Sequence, residues 1–534
     1  MNRKTLVLPT VVGLLAPVLA ACGGVDGGGS SGDAIVVGTT DTFTASKEAP
    51  APIDPAYAYD VGTWNILRQT VQTLMVQPRG DGEPVPEAAE KCGFTDSGNE
   101  RYACTLRKGL KFSNGEAVTA SDVKFSIDRA LRIQADSGVF ALLSTIDTVE
   151  TQGDREVIFH LKTADATFPF KLSTPVAGIV NPDDYAKDKL RDGFDVDGSG
   201  PYTLHAEVKN DELVKAVFTK NSYYKGQLTP KNDKVEMRSF PDATAMGAAL
   251  SKGDIDLMTR TMSPEQIKKL DDDSTGDIDL VEMPGLEIRY LGFNTDAPTV
   301  KTKAVRQAMA QIIDRAELVS KVYGDEAQPL YSLVPATITG HSNSFFNKYG
   351  EPNDIKAKTL MENAGITTPV KLTLHYTTDH YGSATKQEFE NLRQQLDASG
   401  LFKVTIKGAP WTTFRPAEKE GDYDVYGMGW FPDFPDADNY LAPFLDKDNF
   451  LNLPYANAKI RDTLIPESRR EADRLTASTS LTDIQDIVAD DVPVLPLWQG
   501  NQYIAARDGI TGAEWALNSS STLQLWELGR GVSN

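Results

Sequence analysis

The first apolar run of this chain, over residues 6–21, stands at its very start and ends at a cysteine. Arg3 and Lys4 precede the run, and Pro9 and Pro17 interrupt it. A membrane-spanning helix needs about 20 apolar residues in succession, so this run is short for a span. A basic start, an apolar core and small residues at the end read instead as a secretory signal peptide. Residues 23–33 follow as a Gly/Ser-rich stretch, the composition of a flexible tether and not of a packed domain. What folds therefore begins near Ala34 and folds after export. No later stretch is apolar enough to cross a bilayer.

The run closes on Leu19-Ala20-Ala21-Cys22, which resembles a bacterial lipobox. Cleavage before Cys22 would leave a cysteine carrying diacylglycerol on sulfur, and two acyl chains anchor stably where one is marginal. The competing reading is a plain secretory signal with a chance cysteine. Loss of residues 1–21 removes Arg3 and Lys4 and no acid, so the net charge of −21 becomes −23. Two further cysteines, Cys92 and Cys104, flank the turn sequence Asp96-Ser97-Gly98-Asn99. An oxidising compartment favours their pairing over two buried free thiols. Such a bridge would stabilise by about 3 kcal/mol in the chain-entropy model.

The acidic balance sets the field outside. It repels phosphate backbones, so nucleic acid is not an expected partner. Along the body, strand and helix signals alternate without a repeat period. A β-branched strand is expected over residues 34–40 and helical spacing over residues 64–76. A strand over residues 156–162 follows the turn Gly153-Asp154, and a hairpin over residues 202–219 turns at Asn210-Asp211. Thr119-Ala120-Ser121-Asp122 reads as a capping start, with Val123, Ile127, Ala130 and Leu131 on one face. Val305, Ala308, Met309, Ile312 and Ile313 form a second stripe, followed by Asp314 and Glu317 as another capping box. These stripes read as core, and the mixture reads as a large α/β body.

Catalytic patterns are missing from the sequence. There is no nucleophile elbow, phosphate-cradling loop or dinucleotide fingerprint. The five histidines show no zinc-protease spacing; His375 and His380 with Asp379 fit a solvated loop better than a metal site. No cofactor and no metal are expected, and the chain is not expected to be an enzyme. A secreted hydrolase would need a nucleophile or an acid pair, and with 75 acids paired carboxylates arise by chance.

Residues 106–126, LRKGLKFSNGEAVTASDVKFS, closely resemble the signature of the family 5 extracellular solute-binding proteins, the oligopeptide/dipeptide-binding group. Other segments agree in order: Ile53-Asp54-Pro55-Ala56, Gly198-Ser199-Gly200-Pro201-Tyr202, Asn221-Ser222-Tyr223-Tyr224-Lys225-Gly226 and Gly253-Asp254-Ile255-Asp256. Tyr290-Leu291-Gly292-Phe293-Asn294, Val305-Arg306-Gln307-Ala308, Ile313-Asp314-Arg315 and Val492-Pro493-Val494-Leu495-Pro496-Leu497 continue the match. The resemblance implies a two-lobed periplasmic-binding-protein-like α/β fold of class II type, with an extra subdomain and a hinge. By analogy the first lobe has a discontinuous subdomain of residues 34–78, 198–292 and 495–534, and a second subdomain of residues 79–197 holding the cysteine pair. The distal lobe would span residues 293–494, after a signal peptide (1–21) and a lipidated tether (22–33).

The same resemblance implies a function. Two lobes close on a short peptide, and the loaded form is delivered to the permease and ATPase subunits of an ABC importer. Closure requires the ligand to prefer the closed form. The expected protein is a monomer, lipid-anchored on the extracytoplasmic face of the cell membrane. A buried peptide ammonium must be paired, and in peptide-binding relatives a carboxylate after Gly-Trp makes that contact. Here Gly429-Trp430-Phe431-Pro432-Asp433-Phe434 puts Asp433 at the matching position. A local cap is its other possible role. Relatives often carry Asp-Pro where this chain has Asp436-Ala437, which leaves Asp436 and Asp438 open as the working acid. Trp430, Phe434, Trp411, Tyr290 and Asn294, with Trp64, are candidates to line the cleft. Arg289 and Arg415 are available for the peptide carboxylate. The alternatives keep the fold and take an oligosaccharide, metal chelate or haem, or sense a ligand without importing it.

Overall fold

The computed structural model describes residues 34–47, 49–80, 82–259, 262–272 and 276–531. Cys22 and the rest of residues 1–33 lie outside the described residues. Two long strands organise the body, Ile278–Phe293 and Val494–Arg507, paired antiparallel from Ile278↔Arg507 to Gly292↔Val494. They sit at the centre of an 11-stranded mixed sheet. On one side Val425–Trp430, Val370–Thr377 and Phe402–Ala409 follow in that order. On the other side stand Leu257–Thr259, Ile35–Thr39, Lys234–Ser239, Glu212–Lys220 and Tyr202–Lys209.

The pairing of the two long strands is irregular between Pro284 and Ile288. Gly285 there faces Gly500: a Cβ on Gly285 would stand 2.4 Å from the Gly500 carbonyl oxygen. The break coincides with a division of the apolar interior. One core gathers residues between Leu286 and Trp498. A second gathers residues between Ile35 and Met283 and between Ile504 and Leu528, with a small third cluster of Met246, Leu250, Met258 and Tyr503 beside it. Each long strand thus contributes to both of the large cores. Among the described residues no helix is long and apolar enough to cross a membrane.

A separate four-stranded antiparallel sheet is built in the order Ala89–Phe94, Arg101–Leu106, Glu156–Leu161, Ile146–Gln152. Cys92 and Cys104 are register partners on its first two strands and are joined by a disulfide. Helix Ala120–Ile133 begins at Thr119, whose amide donates to Asp122 Oδ2 (2.7 Å), closing the expected capping box. Farther along that helix Arg129 makes a bidentate pair with Asp54 (2.7 and 2.6 Å), both side chains essentially without solvent contact. The pair ties segment 53–56 to the helix that begins within segment 106–126. The hairpin of residues 202–220 turns at Asn210 and Asp211, which have φ of 53° and 62°. That left-handed pair is what a two-residue hairpin requires. Gly198 and Gly200 pass so close to the end of helix Val61–Thr70 that a Cβ on either would lie 2.4 or 2.5 Å from Thr70 backbone atoms.

Two local expectations are corrected. The helix expected over residues 64–76 runs over Val61–Thr70; it starts at the Asp60 cap and stops where Val71 turns extended. Asp314 caps Arg315–Val322 by accepting from the Glu317 amide (2.8 Å), but Glu317 does not return the bond. The Asp314 amide donates instead to Gln395 Oε1 (2.7 Å), so a distant glutamine replaces the second half of the box.

Candidate ligand-binding site

Strand Val425–Trp430 carries the sequence toward the site. Gly427 and Gly429 leave room there for Phe389 and the Arg289 guanidinium, which a Cβ would approach to 2.2 and 2.1 Å. The chain then loops through residues 431–437 into helix Asp438–Leu445. Asn439 pins the loop from both sides: it accepts from the Asp433 amide (2.8 Å) and donates to Asp433 Oδ2 (3.0 Å). The three neighbouring acids are sorted by partners far along the chain. Asp436 forms a bidentate pair with buried Arg474 (2.7 and 2.9 Å), and Asp438 pairs with Arg469 (2.9 and 3.1 Å). Asp433 remains, facing a cavity of about 1000 Å³ between the two cores. Among the described residues no cation lies within ion-pair distance of it.

The opposite wall comes from the first core. Asp60 caps helix Val61–Thr70 by accepting from the Thr63 amide (2.9 Å), and the helix presents Trp64, Asn65 and Arg68 to the cavity. The Trp64 indole donates to the Ala58 carbonyl (2.8 Å). Arg68 donates to the Ser173 carbonyl (3.1 Å) and covers the Trp64 face at 5.7 Å. The Tyr59 hydroxyl donates across the cavity to Asp433 Oδ2 (3.2 Å), and its ring packs edge-on against Phe450. The two sides also meet beyond the cavity: Asn99 Nδ2 donates to the Arg470 carbonyl and the Ala166 amide to the Arg469 carbonyl, each at 2.8 Å.

The electrostatics follow from this enclosure. Asp433 keeps partial exposure and lines the cavity, while protein surrounds it deeply. Burial pushes its carboxyl up to about 6, against the opposing pull of Asn439, Tyr59 and the nearby Arg68. Burial likewise brings the Arg68 guanidinium down to about 10, and burial with Asp433 lifts the Tyr59 phenol well above its usual range.

The other candidates divide between cavity and core. Trp430 and Trp411 line the cavity with Asp433 and Trp64. The Trp430 indole nitrogen is buried without a partner, and Trp411 stacks on His380 at 3.9 Å and 4°. Tyr290, Phe434 and Asn294 do not line it. Tyr290 is buried in the distal core against Phe444. Phe434 stacks on Phe170 at the seam between the two sides. Asn294 holds a loop, donating to the Gly421 carbonyl (3.0 Å) and accepting from the Asp296 amide (3.1 Å). Of the two arginines, Arg415 lines the cavity and pairs with Glu418. Arg289 is enclosed by Tyr381 (4.1 Å) and Trp498 (5.1 Å) and pairs with Glu287. Sequence reasoning missed Tyr59, Arg68 and Asn439. His375 and His380 stack on different rings, Tyr423 and Trp411, and among the described residues no three acid, histidine or cysteine side chains gather as a metal ion would need.

A mixed α/β body with two cores, one shared sheet and a solute-sized cavity between the cores defines a solute-binding protein of the periplasmic type. The chain belongs to the bacterial extracellular solute-binding proteins, family 5, whose middle-region model matches residues 83–452. This is a family of ABC-importer binding proteins. The chain is 24% identical over 512 residues to the dipeptide-binding protein DppE of Bacillus subtilis, covering 91% of each. It is 26% identical over 490 residues to heme-binding protein A of Haemophilus influenzae, covering 86% of this chain and 87% of that one. Among solved structures it superposes on the periplasmic binding protein DppA of Helicobacter pylori, in complex with peptide STSA, with a TM-score of 0.78 at 23% identity. That superposition covers 93% of this chain and 98% of the other.

Proposed function

We propose that this protein captures short peptides between its two lobes and hands them to an ABC permease. The observation that carries the proposal is Asp433: a cavity-facing carboxylate whose hydrogen-bond donors among the described residues are Tyr59 and Asn439, with both neighbouring acids already held by arginines. A free peptide amino terminus supplies the missing cation at Asp433, and a buried ammonium needs such a partner. Loop residues of the peptide backbone can pair with the cavity walls whatever the side chains are. Relatives described as dipeptide- and oligopeptide-binding proteins support the same reading.

In this reading the lobes comprise residues 34–78, 198–292 and 495–534 with 79–197 on one side, and 293–494 on the other. They hinge through the paired long strands. Cys22 carries the lipid that holds the body to the membrane. A second reading keeps the fold and changes the solute, since one relative is described as heme-binding and several aromatic rings line the cavity. Native mass spectrometry of the protein purified from its source decides between them. A heterogeneous set of short peptides released from the protein is the expected result. A single porphyrin mass or a saccharide ladder would replace the peptide reading.

A further inference from the structure

Arg68 lines the same cavity as Asp433, from helix Val61–Thr70. A guanidinium brings five N–H donors and no acceptor. Among the described residues Arg68 donates to one group, the Ser173 carbonyl (3.1 Å), and its face covers Trp64. Neither partner is an anion. Three other arginines show what enclosure ordinarily requires. Arg474 and Arg469 pair with Asp436 and Asp438, and Arg306 donates through all three nitrogens to backbone carbonyls. The difference shows in the charge balance. Desolvation brings Arg68 down to about 10. In Arg474 and Arg469 the same desolvation is outweighed by Asp436 and Asp438, which lift them above the ordinary arginine value. Asp433 and Arg68 act on each other through charge, with no hydrogen bond between them. A buried charge needs a partner, and among the described residues neither of these two touches an opposite charge.

We propose that Arg68 is the second anchor of the ligand, donating to a carbonyl or carboxylate oxygen of the molecule whose amino group pairs with Asp433. This rests on the peptide reading above. A peptide carries the complementary groups close together: its ammonium nitrogen and first carbonyl oxygen lie about 3 Å apart by standard backbone geometry. In a very short peptide the terminal carboxylate is the other source of such an oxygen. Hydrogen bonds from arginine to either are charge-assisted and stronger than neutral ones. The bond to Ser173 gives Arg68 a structural duty as well, so a change made on the ligand, which leaves the wall untouched, separates the two roles.

The test is calorimetric titration at pH 7.5 with three ligands: Ala-Ala-Ala, the same peptide with its first amide replaced by a trans alkene, and the same peptide amidated at its carboxyl end. Each is titrated into wild type, Arg68→Met and Arg68→Lys. One of the two modifications should weaken wild-type binding about tenfold or more, about threefold or less in Arg68→Met, and by an intermediate factor in Arg68→Lys. Loss with the alkene assigns the oxygen to the first carbonyl, and loss with the amide assigns it to the carboxylate. If neither modification weakens wild-type binding, the second anchor is overturned without any variant. Equal losses in wild type and Arg68→Met also overturn it; should Arg68→Met fail to fold, Arg68→Gln takes its place in the comparison. Each of these failures leaves peptide capture standing. If unmodified Ala-Ala-Ala does not bind wild type, peptide capture itself fails and this inference with it.

Discussion

Replacing Asp433 by Asn separates what the carboxylate does for the fold from what it does for a ligand. The enclosed carboxyl titrates at about 6, against 3.8 for an ordinary aspartate. The folded protein therefore binds this proton more tightly than the unfolded chain does. Stability falls as pH rises from about 4 to 6, and the full penalty is present above that window. At about 1.4 kcal/mol per pH unit of difference, the empty protein carries up to about 3 kcal/mol of strain at neutral pH. Residual hydration from the cavity makes this an upper bound. Asp433→Asn retains an oxygen to accept from Asn439 and Tyr59 and carries no charge. Urea unfolding at pH 7.5 should therefore find the ligand-free variant more stable than wild type, with the difference vanishing below pH 4. Peptide affinity should move the other way. Loss of a charge-assisted hydrogen bond costs about 1.5–3 kcal/mol, a weakening of about 10- to 150-fold. Wild-type affinity should also fall as pH drops below about 6, where Asp433 takes up a proton, and the variant should lack that dependence. A destabilised ligand-free variant with undiminished peptide affinity would refute the reasoning on both counts.

Three further outcomes are expected. Arg129→Met leaves Asp54 buried without its cation, and breaking such a pair costs about 3–5 kcal/mol; a urea midpoint unchanged from wild type would contradict the pair's role. Joint replacement of Cys92 and Cys104 by Ala opens a short loop and should lower stability by about 3 kcal/mol, with peptide affinity at saturating fold retained, read by thermal unfolding and calorimetry. Cys22→Ser should move the protein from the membrane fraction into the medium, and its retention in membranes would exclude lipid anchoring at that residue.

Local chemistry was legible without coordinates. Asn210-Asp211 announces a left-handed two-residue turn, Thr119 and Asp122 announce a helix start, and the turn between Cys92 and Cys104 announces adjacent strands. Each depends on residues a few positions apart, where backbone preference and short-range hydrogen bonds decide the outcome. The ordered family segments carried the two-lobed α/β class in the same way, as a string of such local solutions. The sequence could not say which of Asp433, Asp436 and Asp438 faces the cavity, because that depends on where Arg469 and Arg474 arrive from thirty-odd residues downstream. It could not say that Tyr59 reaches Asp433 across 374 positions, or that Tyr290 lies buried in the core while Trp430, the partner of Ile288 on the next strand, reaches the cavity wall. A carboxylate's charge state and availability follow from which groups surround it in three dimensions, and desolvation and ion pairing act through space with no regard for distance along the chain.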